Sequence, residues 1–195
     1  MAVFGVGGLG LACIMMAVAA GTAKTIIAVD VSRRALDKAL ELGATHVIQA
    51  STTNKNNSND ELVRKQVLEI TQSHGADISI DAAGFSSTCE NAVYGTKRGG
   101  RMIQVGLPIG NKTPPMIPMG LVAGHELELV GSHGFAATDL PDLLKMVVEG
   151  TLDPARLIEK EVTLEEGAQA IEDMDHGSPL GISVVTKFQS HDSRL

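Results

Sequence analysis

The chain has 195 residues, of which 44% are hydrophobic and 20% charged, and its net charge is −7. That balance excludes a disordered chain and allows one well-cored domain with an appendage. The acidic charge and the scarcity of aromatics (four Phe, one Tyr, no Trp) argue against a nucleic-acid partner.

Residues 2–4, Ala-Val-Phe, read as a buried strand. Gly5-Val6-Gly7-Gly8-Leu9-Gly10 follows, then an apolar helix over 9–20, then a second strand, Ile26 to Asp30. The G-x-G-x-x-G spacing falls on Gly5, Gly7 and Gly10, and Asp30 lies 20 residues past Gly10. Strand, glycine turn, helix and acid in that order form a dinucleotide-binding fingerprint. Gly5 permits the tight turn, Gly7 lets backbone approach a pyrophosphate, and Gly10 lets helix and strand pack closely. The helix that begins near Gly8 aims unpaired N–H groups at the phosphates. Asp30 suits a ribose diol and repels a 2′-phosphate, which favours NAD over NADP. Arg33 and Arg34 follow closely and partly offset that repulsion. The apolar run lacks the basic flank of a signal peptide and is too short to span a bilayer, so no membrane partner is expected. It reads instead as a helix buried on all sides. Cys13 and Cys89 form no metal-ligand spacing, which points to a reducing, cytoplasmic setting without a disulfide.

Ser32 caps a helix over Arg33 to Leu42, with Leu36, Ala39 and Leu40 facing inward and Gly43 as its stop. His46-Val47-Ile48 is a third strand. Residues 51–59 are polar and Asn-rich, a surface loop without chemistry. Ser58 and Glu61 form a capping box for an amphipathic helix with Leu62, Val63, Val67 and Ile70 inward, closed by Gly75. Ile78 to Asp81 is a fourth strand, followed by Ala82-Ala83-Gly84. Ser87 and Glu90 make a second capping box, for a helix to about Lys97. Arg101 to Val105 is a fifth strand. Pro108, Pro114, Pro115 and Pro118 mark a connection to a sixth, Leu127 to Val130. Strand and helix alternate, so the fold class is α/β, a doubly wound parallel sheet of order 3-2-1-4-5-6. Its ligand crevice lies at the carboxyl ends of the strands, where Ala82, Ala83 and Gly106 leave room for a flat ring. Beyond it, Asp139 and Pro141 begin a helix ended by Gly150, Thr163 and Glu166 cap another that ends near Gly177, and Ile182 to Thr186 is a last strand. His74 and His176, each beside a helix-ending glycine, read as structural.

Taken together, several segments resemble the coenzyme-binding half of medium-chain, zinc-type alcohol dehydrogenases. They are residues 3–10, Val29-Asp30-Val31-Ser32, residues 41–48, Gly75-Ala76-Asp77-Ile78, Arg98-Gly99-Gly100-Arg101 and Val105-Gly106-Leu107-Pro108, with Leu164-Glu165-Glu166-Gly167 and Gly181 onward in the tail. The resemblance covers about residues 2–188. It implies a Rossmann domain over 1–134, a C-terminal segment over 135–188 that in the family packs on the catalytic domain, and a flexible tail over 189–195. It implies reversible oxidation of an alcohol to an aldehyde or ketone, with hydride passing to or from a nicotinamide. The coenzyme contacts so implied are Gly5, Val6, Gly7, Gly8, Leu9, Gly10, Asp30 and Arg34 at one end. Toward the nicotinamide they are Ala82, Ala83, Val105, Gly106, Leu107, Ser132 and His133, the last two chiefly through backbone. In the family, a GroES-like domain precedes the glycine loop and holds zinc through a Cys, His-Glu, Cys pattern. That pattern is missing here, so no catalytic residue and no metal ligand is assigned within this chain. The chain also departs from the family at Ala35, where a basic residue near the adenosine is common and Arg33 or Arg34 is the substitute, and at Ile182, where Lys is common. Tyr94 and Lys97 do not reproduce the Tyr-x-x-x-Lys of short-chain dehydrogenases. Two other readings stand beside the dehydrogenase half: a free-standing NAD(P)(H)-binding or redox-sensing module, and half of a metal-free quinone-reductase-like enzyme. Family dimers form through a segment that corresponds to about Met116 to Leu121, so a homo-oligomer is an expectation from the resemblance.

Overall fold

The computed structural model describes residues 1–51, 58–108, 114–174 and 180–188. Strands β1 (Ala2–Phe4), β2 (Ile27–Asp30), β3 (His46–Gln49), β4 (Ala76–Asp81), β5 (Thr96–Gln104) and β6 (Glu128–Gly131) form one parallel sheet. Their order is β3-β2-β1-β4-β5-β6, the order read from the alternation of elements. Helices α1 (Gly8–Ala20), α2 (Arg33–Glu41), α3 (Ser58–Ile70), α4 (Ser86–Tyr94) and α5 (Met119–His125) form the crossovers.

Alternation along β1 divides the core. Val3 faces α1 and α2 with Val6, Leu11, Ile14, Ile26 and Leu36. Ala2 and Phe4 face the opposite layer with Ile27, Val29, Val63, Val67, Val93 and Met102. A fully buried side chain such as Phe4 contributes about 2–3 kcal/mol.

Several elements differ from the sequence reading. Helix α1 is not buried on all sides. Gly10, Leu11, Ile14 and Met15 are sealed against the sheet, whereas Leu9 and Val18 are exposed. A parallel sheet seals only the helix face that lies on it, and the opposite face of α1 lines an open groove of about 1150 Å³ with Cys13 and Met16. Leu40 and Leu62 point outward, while Ala35 takes the inward place on α2. Helix α4 starts at Ser86 and ends at Tyr94, and it is Thr88 that bonds back to Phe85 at both N–H and carbonyl. Residues 96–97 belong instead to β5. There Thr96 pairs with Ala76 before a register shift, and Arg101 pairs with Ile78. The proline-marked connection contains α5, and its Pro118 is the N-cap. The side chains of Ser58 and Asn59, His176, Gly177 and residues 189–195 lie outside the described residues.

A smaller lobe follows β6. It contains α6 (Leu140–Val148), β7 (Ile158–Thr163), α7 (Leu164–Asp173) and β8 (Ile182–Lys187), with β7 and β8 paired in parallel. Strand β7 escaped the sequence reading because Glu159, Lys160 and Glu161 give it no apolar face of its own. The lobe docks on α1 and α2: Leu152 and Leu157 enter the first core layer, and the Arg156 guanidinium donates to the Glu41 carbonyl.

Candidate functional site

The glycine loop joins β1 to α1 at the carboxyl edge of the sheet. Gly5 has φ +84°, and a Cβ there would lie 2.5 Å from the Ala83 Cβ. A Cβ on Gly10 would lie 2.0 Å from the Gly5 carbonyl oxygen. Glycine is therefore required at both places, once for conformation and once for contact. The loop delivers α1 with Gly7 as its N-cap, no side-chain cap and no acid in the first turn. A helix start left in that state has N–H groups and a positive dipole end available to an anion.

Asp30 closes the loop from the neighbouring strand. Its Oδ2 accepts from the Val6 N–H at 2.7 Å, and its Oδ1 accepts from the Ser32 N–H at 2.8 Å. The carboxylate is thus held by backbone on both sides, and each oxygen keeps a lone pair for a further donor. Across the loop, the turn after β4 is shaped by Asp81, which is fully buried. Its Oδ1 accepts from the N–H groups of Ala83 and Gly84, and its Oδ2 accepts from the Gln104 amide at 2.6 Å. The same amide nitrogen donates to the Gly106 carbonyl. One buried carboxylate therefore ties the ends of β4 and β5 together. Sequence reasoning gave it no role; an acid closing a buried strand was the available signal.

These elements open onto a cleft of about 990 Å³. Of the residues singled out from sequence, Gly5, Gly7, Gly8, Leu9, Asp30, Arg34, Ala82 and Ala83 line it. Val6 and Gly10 lie behind it in the core. Val105, Gly106, Leu107, Ser132 and His133 stand further along the carboxyl edge, outside the cleft lining. Gly106 packs under Gly84, where a Cβ would lie 2.4 Å from the Gly84 nitrogen. Ser132 is anchored by its N–H to the Gln104 carbonyl, and His133 is exposed. The far wall of the cleft comes from the C-terminal lobe, through Glu159, Lys160, Asp173, Met174, Gly181 and Ser183. None of these was legible as a site residue, because their approach to the loop depends on how the lobe docks.

Among the described residues, no group of three or more His, Cys, Asp and Glu could hold a metal ion. Zinc therefore has no ligand set there. Both cysteines are free. Burial raises both thiols, Cys89 to about 11, so neither is a ready thiolate. No helix among the described residues is long and apolar enough to cross a membrane.

Residues 8–149 match the family model described as zinc-binding dehydrogenase. The chain is 30% identical to sorbitol dehydrogenase of Bacillus subtilis over 88% of its own length and 45% of that relative's. It is 32% identical to L-idonate 5-dehydrogenase of Vitis vinifera over 84% of its length and 42% of that relative's. An alcohol dehydrogenase structure from Aeropyrum pernix superposes with a TM-score of 0.77 at 28% identity, over 95% of this chain and 49% of that one. The chain thus spans less than half the length of these proteins.

Proposed function

Since this chain belongs to the zinc-binding dehydrogenase family, we propose that it is the NAD(H)-binding part of an oxidoreductase acting on the CH–OH group of an alcohol. The observation that carries this reading is Asp30, bonded to the glycine loop through Val6 and standing in the same cleft as the uncapped start of α1. That pairing supports a nucleotide whose pyrophosphate meets the helix and whose ribose diol meets the carboxylate. A bound nicotinamide supplies the hydride chemistry. The contribution of this chain is to bind and orient it. The glycine loop admits the phosphates, Asp30 selects a diol, and the Asp81–Gln104 pair holds the 82–84 turn beside the loop. Relatives named for sorbitol and L-idonate favour a polyol or sugar-acid secondary alcohol as the substrate class. Zinc, and the groups that polarise the alcohol, belong in this reading to residues outside the chain. In keeping with a surface that packs on further protein, the C-terminal lobe exposes Phe135, Val148, Ile171 and Phe188.

Calorimetric titration with NADH and NADPH tests the reading. The expected result is saturable NADH binding, weaker NADPH binding, and a loss of about tenfold or more in NADH affinity for Asp30→Ala, the worth of charge-assisted hydrogen bonds. No saturable binding of either coenzyme to the natively folded chain overturns it.

A further inference from the structure

We propose that Glu159 enforces the preference of this cleft for an unphosphorylated ribose by holding Arg34. The inference rests on the dinucleotide reading of the cleft. Arg34 stands four residues past Asp30, on the first turn of α2, and it lines the cleft. Alone, it would be the cation suited to a 2′-phosphate. Its Nη2 instead donates to Glu159 Oε1 at 2.8 Å, and Glu159 is the more sheltered partner, with 24% of its side chain exposed against 74% for Arg34. Arg33 is occupied on its own helix by Asp37 at 2.7 Å.

The backbone has a specific arrangement for presenting this glutamate. The β7–β8 register runs from Ile158 opposite Ile182 to Lys160 opposite Ser183, so Glu159 is the extra residue of a bulge. A bulge re-aims a side chain without ending the strand. It is permitted by Gly181, at φ +133°, where a Cβ would lie 2.5 Å from the Leu157 carbonyl oxygen. The result is a carboxylate from β7 facing the adenosine end of the cleft from the opposite wall.

A ribose diol bonded to Asp30 leaves this ion pair untouched. A 2′-phosphate would bring about two negative charges beside Asp30 and Glu159 and would have to take Arg34 from its partner. Glu159, already neutralised by Arg34, therefore acts against it by occupying the cation. Lys160 is the other cation of the cleft lining, so a test must separate it from Arg34.

The test is calorimetric titration of the chain with NADH and NADPH for the parent, Glu159→Gln, and Glu159→Gln combined with Arg34→Ala, each checked for native circular dichroism. Glu159→Gln should raise the NADPH-to-NADH affinity ratio by about fivefold, the factor one exposed ion pair is worth, and the rise should shrink with added salt. Glu159→Ala should move the ratio the same way. Adding Arg34→Ala should return it to the parent value. An unmoved ratio in a parent that binds NADH overturns this proposal and leaves the dinucleotide reading intact. A rise that survives Arg34→Ala also overturns it, and assigns the phosphate to Lys160. Binding of neither coenzyme by any of the proteins overturns both.

Discussion

Gly10 and Gly21 separate two reasons for glycine. At Gly10 an added Cβ would sit 2.0 Å from backbone, at the Gly5 carbonyl, so the β1–α1 turn would have to open. At Gly21 φ is +65° and nothing lies within 4 Å, so only conformation resists a side chain. Gly10→Ala is expected to lower stability by about 3 kcal/mol, and Gly21→Ala by about 1 kcal/mol. Urea unfolding of the two variants checks this; equal losses would mean that the turn relaxes freely. At this scale the loop was readable because its constraints are local. Gly5, Gly10 and Asp30 act over a single strand-turn-helix unit, and their spacing records it. Glu159 was not readable, since its partner Arg34 is distant in sequence and meets it only after the lobe has docked.

Helix α7 shows how one element responds to pH. Thr163 Oγ1 accepts from the Glu166 N–H, and the Glu166 carboxylate accepts from the Thr163 N–H at 2.8 Å. Thr163→Ala should cost about 1 kcal/mol of local helix stability. The bond from Thr163 holds the Glu166 carboxyl below its ordinary range. Its contribution is therefore fully present above the unfolded value of 4.5, and it is lost as pH falls through the lower folded value. An acid titration followed by helical circular dichroism should show α7 signal fading below pH 4.5 in the parent, with that step reduced in Glu166→Gln. An unchanged acid limb would remove the cap from the account. This capping box was visible in sequence because S/T-x-x-E is a local code. Strand β7 was hidden because a polar strand carries no period-2 signal, and α5 was hidden because prolines that can start a helix also mark a turn. Leu40 and Leu62 were placed inward by helical spacing, but the strip of helix that touches a sheet is narrower than the apolar stripe.

For the whole molecule, the order of the sheet followed from alternation, while the fit between lobe and sheet did not. The surface around the last strand carries a further expectation. Met116 is 80% exposed, Met119 is 62% exposed, and β6 is an exposed edge strand. Such an edge invites a second copy, within the short stretch that Pro114, Pro115 and Pro118 leave open. Sedimentation should show concentration-dependent self-association that Met116→Lys weakens by on the order of tenfold. A single monomeric species for both proteins would count against it.

The place of β1 at the centre of the sheet has a consequence for how the chain is made. Ala2 pairs with Ile27 on one side and with Ser79 on the other. The first neighbour leaves the ribosome early, but the second arrives only after α2, β3 and α3 have been synthesised. During that interval the edge of Ala2, Val3 and Phe4 that will face β4 has its backbone groups unpaired. Closing it requires a long loop, which slows formation of the native pairing. The segment that later anchors the coenzyme loop is thus the one most open to misassembly at birth. Synthesis that slows after β3 would lengthen that exposure, and a chaperone that shields residues 2–4 would shorten it.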